Sequence, residues 1–220
     1  MLNLKAHAAI ATLFLAGAAG AATTNGIANG GFEVVNGNQP VGWVGADSSA
    51  PVLSNDAHSG AHAMLLSVPG GFGGSGLLQD SIAHGGLAAL TVANVGDTPV
   101  LSFWAKGDVS PTGNAKFGLS YLGDNGVLYD SGLQYFHSDL SGTTWKQISF
   151  QAAAIPTGAK AVYLLLNTAV GPLQDGRVNA VYIDDVQLTL TTAPVPEPET
   201  YALLIAGLGV VAAVARRRRA

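Results

Sequence analysis

Residues 116–129 read KFGLSYLGDNGVLY, two apolar-rich runs broken by Asp124-Asn125-Gly126. Asn and Gly accept the positive φ that tight hairpin turns require, so the triplet predicts a β-hairpin with arms at 116–122 and 127–129. The same pattern repeats outward in both directions. Short apolar or alternating runs at 27–34, 41–44, 62–68, 77–82, 99–106, 145–152, 160–166 and 181–190 are separated by Gly, Asn, Asp and Pro. None of these stretches carries the period of an amphipathic helix. About ten short strands without supporting helices predict an all-β fold, a β-sandwich or jelly roll.

Two of the runs say which faces are buried. In 160–166, Ala161, Tyr163 and Leu165 alternate with Val162, Leu164 and Leu166, so both faces are apolar and the strand is expected at the centre of its sheet. In 181–190, strict period two places Tyr182, Asp184, Val186, Leu188 and Leu190 on one face. A carboxylate among core positions needs a partner, because an uncompensated buried charge is costly. The GGFGGSG run at 70–76 lacks the Lys and helix of a phosphate-cradling loop and reads as a flexible surface loop.

The two ends read as targeting segments. From Val195 the chain runs VPEPETYALLIAGLGVVAAVARRRRA: Pro196, Glu197 and Pro198, an uncharged stretch from Tyr201 to Ala215, then Arg216, Arg217, Arg218 and Arg219. Prolines keep a segment extended, an apolar stretch partitions into lipid as a single hydrophobic helix, and arginines stay on the cytoplasmic side. The apolar stretch is shorter than the roughly 20 residues a bilayer core requires, which suits a transient transmembrane anchor better than a permanent one. This tripartite pattern resembles the PEP-CTERM sorting signal of Gram-negative bacteria. The resemblance implies export, transient retention in the inner membrane, and cleavage near Pro-Glu-Pro by an exosortase, with a final location at the cell surface or in the extracellular matrix. At the other end, Lys5, the apolar run from Ala8 to Ala19 and the Ala19-Gly20-Ala21 triplet form a signal peptide for Sec export over residues 1–22. One β-sandwich domain, 23–192, lies between it and the sorting segment, 193–220.

The whole chain carries a formal charge of −4, but half of its basic residues belong to the targeting segments. The domain alone has 5 basic and 12 acidic side chains, a balance that disfavours nucleic acid and is compatible with divalent cations. The absence of cysteine removes thiol catalysis, Cys-ligated zinc and disulfide support.

A second resemblance spans nearly the whole domain. Asn29-Gly30-Gly31-Phe32-Glu33, Gly42-Trp43, His58-Ser59-Gly60-Ala61-His62-Ala63, Leu101-Ser102-Phe103-Trp104-Ala105-Lys106, Thr144-Trp145-Lys146-Gln147 and Tyr182-Ile183-Asp184-Asp185-Val186 occur in that order. Together they resemble the galactose-binding-like jelly rolls, which include carbohydrate-binding modules found beside xylanases and glucanases. The resemblance implies a structural calcium tying the first strand to the last through Glu33 and Asp184, with Asp185 the alternate; calcium takes about 6 to 8 oxygen ligands, which carboxylates and carbonyls supply.

Aromatic rings are the usual platforms for sugars. Trp43, Trp104 and Trp145 fall at positions read as core or strand-end packing. Tyr121, Tyr129 and Tyr135 are the better candidates for a binding face, with Gln134, Asp130 and Asn167 as hydrogen-bonding partners. No catalytic constellation is found. His58 and His62 lie in a turn followed by a strand, about 13 Å apart if extended, and are not expected to chelate a metal together. The expectation is a non-enzymatic exported protein that associates with polysaccharide, the alternatives being a purely structural matrix protein or a glycan-active hydrolase.

Overall fold

The computed structural model describes residues 22–69, 72–80, 89–109, 113–170, 179–192 and 198–217. The chain divides into two compact units, residues 22–193 and the two ends taken together.

The larger unit is a β-sandwich of jelly-roll type. Its first sheet is built from β1 (Ala22–Asn25), β5 (Val52–Ser54), β6 (Ala63–Val68), β8 (Val100–Asp108), β12 (Lys146–Gln151) and β14 (Asn179–Thr192). They lie in the order β12-β8-β14-β6-β5, with β1 paired to the far end of β14. The second sheet contains β4 (Val44–Ala46), β7 (Gly73–Asp80), β9 (Gly113–Gly123), β10 (Gly126–Asp130), β11 (Gln134–Tyr135) and β13 (Ala161–Val170). Its order is β10-β9-β13-β7-β4, with β11 also on β9. A small hairpin, β2 (Val35–Asn36) and β3 (Gln39–Pro40), stands apart from both sheets.

Alternation builds the core. Leu101 and Phe103 of β8, Met64 and Leu66 of β6, and Val181 and Ile183 of β14 point inward from the first sheet. Phe117 and Leu119 of β9, Val162, Leu164 and Leu166 of β13, and Leu77 of β7 meet them from the second. Phe103 packs edge-on against Phe117 at 5.8 Å and Phe136 at 5.1 Å, a geometry that aromatic quadrupoles favour. All the described core side chains and both sheets lie within residues 22–193, so this unit has what it needs to fold by itself.

The hairpin forms where the sequence places it, with Gly126 opposite Gly123 and Asp124-Asn125 at the turn. β13 is central, paired to β7 and β9 along its length. Three expectations need correction. Residues 27–34 form turns rather than a strand: Asn29 and Phe32 take φ of 50° and 59°, and Phe32 is fully buried. In the GGFGGSG run, Gly73–Gly76 open β7 and pair with 167–170, so this part is sheet and not a loop; Gly70 and Gly71 lie outside the described residues. In β14 the period breaks. The register shifts between Asp184 and Gln187, and Asp185 takes a φ of 49°. Val181 and Ile183 therefore face the core before this bulge and Val186, Leu188 and Leu190 after it, while Tyr182 lies on the opposite face.

In the smaller unit, α1 (Pro198–Arg217) is the expected single helix. Pro198 is its first residue, where a missing N–H costs nothing. The helix runs beyond the apolar stretch Tyr201 to Ala215 at both ends. Among the described residues no helix is long and apolar enough to cross a membrane. Residues 1–21 of the segment expected to be a signal peptide, together with Pro196, Glu197, Arg218 and Arg219, lie outside the described residues.

Candidate functional site

Strand register aligns Ala46, Gly76, Asn167, Lys116 and Tyr135 in one row across β4, β7, β13, β9 and β11. Their neighbours Leu77, Leu166 and Phe117 face the core, so the row faces outward. At ~4.8 Å between strands it is about 19 Å long.

Glycine makes room in this row. A Cβ on Gly74 would lie 3.1 Å from the Asp47 carboxyl carbon, and one on Gly76 would lie 3.2 Å from both Asp47 Oδ2 and Asn167 Nδ2. The Asp47 side chain therefore lies across two strand glycines, held by a backbone φ of 75°. Asn167 Nδ2 donates a short hydrogen bond to Asp47 Oδ2, which fixes the orientation of the amide. The other amide atom, Asn167 Oδ1, has no hydrogen-bond partner although the residue is only 4% exposed. Asn114 Oδ1, two residues before Lys116 on the same face, is in the same position. A buried acceptor without a donor costs about 1–3 kcal/mol, so both atoms favour an arriving N–H or O–H.

Lys116 is half-buried, and its side chain makes no ion pair or hydrogen bond among the described residues. By contrast, Lys106 is paired with Asp56 at 2.5 Å and Lys160 with Asp124 at 2.6 Å. Tyr135 closes the row, 56% exposed, with the His137 ring edge-on at 6.0 Å. The row thus presents an aromatic face, a cation and unsatisfied acceptors.

Of the sequence candidates, Tyr135 and Asn167 meet in this row. The other two tyrosines do not. Tyr121 is fully buried, its hydroxyl donates to the Ala153 carbonyl at 2.9 Å, and burial pushes its pKa up; Tyr129 packs against it at 5.1 Å. Gln134 stands opposite core-facing Phe117, and its amide donates to the Ser131 carbonyl. Asp130 accepts from the Gly132 N–H within its own turn. Sequence reading missed Asp47, Asn114 and Lys116. Alternate glycines within a strand were the available signal, hidden by reading them as a loop.

Glu33, Asp184 and Asp185 converge elsewhere, around the 58–62 loop. Glu33 Oε1 accepts from the N–H groups of Ala61 (2.8 Å) and His62 (3.0 Å). Those bonds, the His62 N–H foremost, hold its carboxyl below the ordinary glutamate range. Asp184 is fully buried and accepts from the N–H groups of His58, Ser59 and Asp185, yet burial outweighs them and raises its pKa. Asp185 takes the His58 ring at 2.7 Å and the Ser59 hydroxyl at 2.7 Å. The two histidines thus serve different carboxylates, His62 lying 3.5 Å from Glu33. Among the described residues no three His, Cys, Asp or Glu side chains are grouped as a metal shell. Gly31 lies beside all three side chains, its missing Cβ standing 3.5 Å from Asp185 Oδ1, 3.9 Å from Asp184 Oδ1 and 3.9 Å from Glu33 Cγ.

Trp43 is buried, as expected, and its ring N–H donates to the Asn29 carbonyl. Trp104 and Trp145 instead form a half-buried cluster on the outer face of the first sheet. His58 stacks on Trp104 at 3.9 Å, and the Lys106 ammonium sits 5.0 Å from the Trp145 ring and 5.3 Å from Tyr182. These rings are engaged with one another and pin the 55–62 loop to the sheet.

A family model described as the PEP-CTERM protein-sorting motif matches residues 194–219. No curated protein matches the chain by sequence. Among solved structures, the enzymatically active domain of tailspike protein 4 from bacteriophage CBA120 is similar at 19% identity and a TM-score of 0.56, covering 76% of this chain and 21% of that one. A carbohydrate-binding module of the β-sandwich superfamily is similar at 12% identity and a TM-score of 0.50, covering 73% of this chain and 62% of that one. A CBM22 xylan-binding domain from Paenibacillus barcinonensis aligns over 80% of this chain and 97% of its own at 17% identity and a TM-score of 0.42. The chain spans about a fifth of the tailspike domain and less than two thirds of the superfamily module. It therefore carries a PEP-CTERM sorting motif on a domain with the fold of carbohydrate-binding modules.

Proposed function

We propose that this is an exported, non-enzymatic protein that associates with polysaccharide through the outer face of its second sheet. In this reading an exosortase processes the sorting motif after transient retention in the inner membrane, leaving the protein at the cell surface or in the extracellular matrix of a Gram-negative bacterium. One observation carries the binding claim: the row from Asp47 to Tyr135 combines an exposed ring with buried acceptors that have no donor. Sugars offer an apolar ring face and hydroxyl donors, which match both halves of that description.

The non-enzymatic reading rests on the carboxylates. Within the row, among the described residues, Asp47 is the sole carboxylate and is bonded to Asn167, whereas glycoside hydrolysis uses an opposed pair. Affinity electrophoresis of residues 22–193 in polysaccharide gels tests the binding claim. Tyr135→Ala is expected to lose retention with an unchanged melting temperature; equal retention removes this face from consideration. Reducing ends released from the same polysaccharides would move the protein into the hydrolase class.

A structural calcium held by Glu33, Asp184 and Asp185 is also proposed. Asp184 is a fully buried carboxyl that, among the described residues, accepts from N–H groups, and Gly31 lies in contact with all three side chains. Calcium bound there would supply the countercharge that N–H groups do not.

A further inference from the structure

We infer that the row on the second sheet selects acidic polysaccharide, chains bearing uronic-acid carboxylates, and that Lys116 is the residue that selects them. The inference rests on the proposed polysaccharide reading and deepens it.

The domain carries 12 acidic and 5 basic side chains, so it repels polyanions at long range. Among the described lysines, Lys106 is neutralised by Asp56 and Lys160 by Asp124, while Lys146 is exposed to solvent on an edge strand. Lys116 is not neutralised, although it stands half-buried in the middle of the sheet beside Asn167 and Tyr135. The nearest acid in the row, Asp47, lies over β7 and is bound to Asn167. It is separated from Lys116 by the whole of β13, about 10 Å at the ordinary spacing of strands. The row is therefore polarised along its length: the carboxylate lies at one end, the cation and aromatic ring at the other, and Asn167 between them.

A neutral sugar would satisfy Asn167 Oδ1 and Asn114 Oδ1 through its hydroxyls and leave the ammonium unused. A uronate unit also satisfies them, and its carboxylate meets Lys116 while its ring lies against Tyr135. Specificity comes from geometry, since the overall charge opposes it.

The test uses residues 22–193, because the four tail arginines would themselves attract a polyanion. Binding is measured by isothermal titration with polygalacturonate and with its carboxyl-reduced, neutral counterpart, for the wild type, Lys116→Met and Tyr135→Ala. The expected result is that the wild type prefers the acidic polymer by about tenfold, the scale of one charge-assisted hydrogen bond. Lys116→Met should bring acidic-polymer binding down to that of the neutral polymer, and Tyr135→Ala should weaken both. The preference should also shrink as salt is raised. Equal binding of both polymers by the wild type overturns the choice of substrate class and leaves the polysaccharide reading standing. Binding of neither polymer overturns both. Circular dichroism of Lys116→Met confirms that the fold survives, and Lys116→Arg should retain the preference.

Discussion

Asp47 and Asn167 show how one contact can be invisible in sequence and decisive in space. They are 120 positions apart, and nothing in either neighbourhood marks them as partners. The sequence singled out Tyr135 as an aromatic group of the hairpin region and Asn167 as a hydrogen-bonding partner, and both fall in the row. It could not separate Tyr121 from Tyr135, since whether a tyrosine points inward depends on strand phase, and these two sit on different strands. Asn167→Asp tests the arrangement. It sets a second carboxylate against Asp47, so the melting temperature should fall by several degrees at neutral pH and recover as pH is lowered and one of the pair takes a proton. Glu33 makes an independent acid-limb prediction. Its pKa is held down in the folded state, so its contribution to stability is full above the ordinary glutamate pKa and is lost as pH falls through the lowered value. Glu33→Gln should flatten that limb in a series of thermal melts from pH 6 to pH 3, a range of about three units chosen to bracket glutamate titration.

At the scale of elements, alternation with turn residues was enough to locate most strands and to place β13 at the centre of its sheet. It failed where the backbone departs from period two. The bulge at Asp185 moves the buried set from odd to even positions, and a period cannot register a single residue at positive φ. The 27–34 segment fails for the same reason: its apolar residues are buried by turns, with Phe32 inserted beneath Trp43 at 5.3 Å. Gly30 holds that turn against the bulge, since a Cβ there would lie 1.9 Å from the Val186 carbonyl oxygen. Gly30→Ala should cost about 2–3 kcal/mol in urea denaturation through overpacking. Phe103→Ala, at the meeting of the two sheets, should cost about 3–5 kcal/mol through the cavity it leaves.

For the molecule as a whole, the route and the domain are legible to different degrees. The sorting motif is read in one pass because its three parts are contiguous and each has a physical reason. The binding face is assembled from five strands, so only strand register reveals it. The calcium proposal also belongs to this scale, because Glu33 and the Asp184-Asp185 pair join the two ends of the domain. Saturating calcium should raise the melting temperature by roughly 5–10 °C over a chelated sample, and an unchanged midpoint would remove it. The central claim is that polysaccharide binds the outer face of the second sheet. Its most direct test is a backbone amide NMR titration of residues 22–193 with oligogalacturonate. The account predicts shifts confined to Asp47, Gly74, Gly76, Asn114, Lys116, Tyr135 and Asn167; shifts centred on Trp104, Trp145 and Tyr182, or none at any concentration, would contradict it.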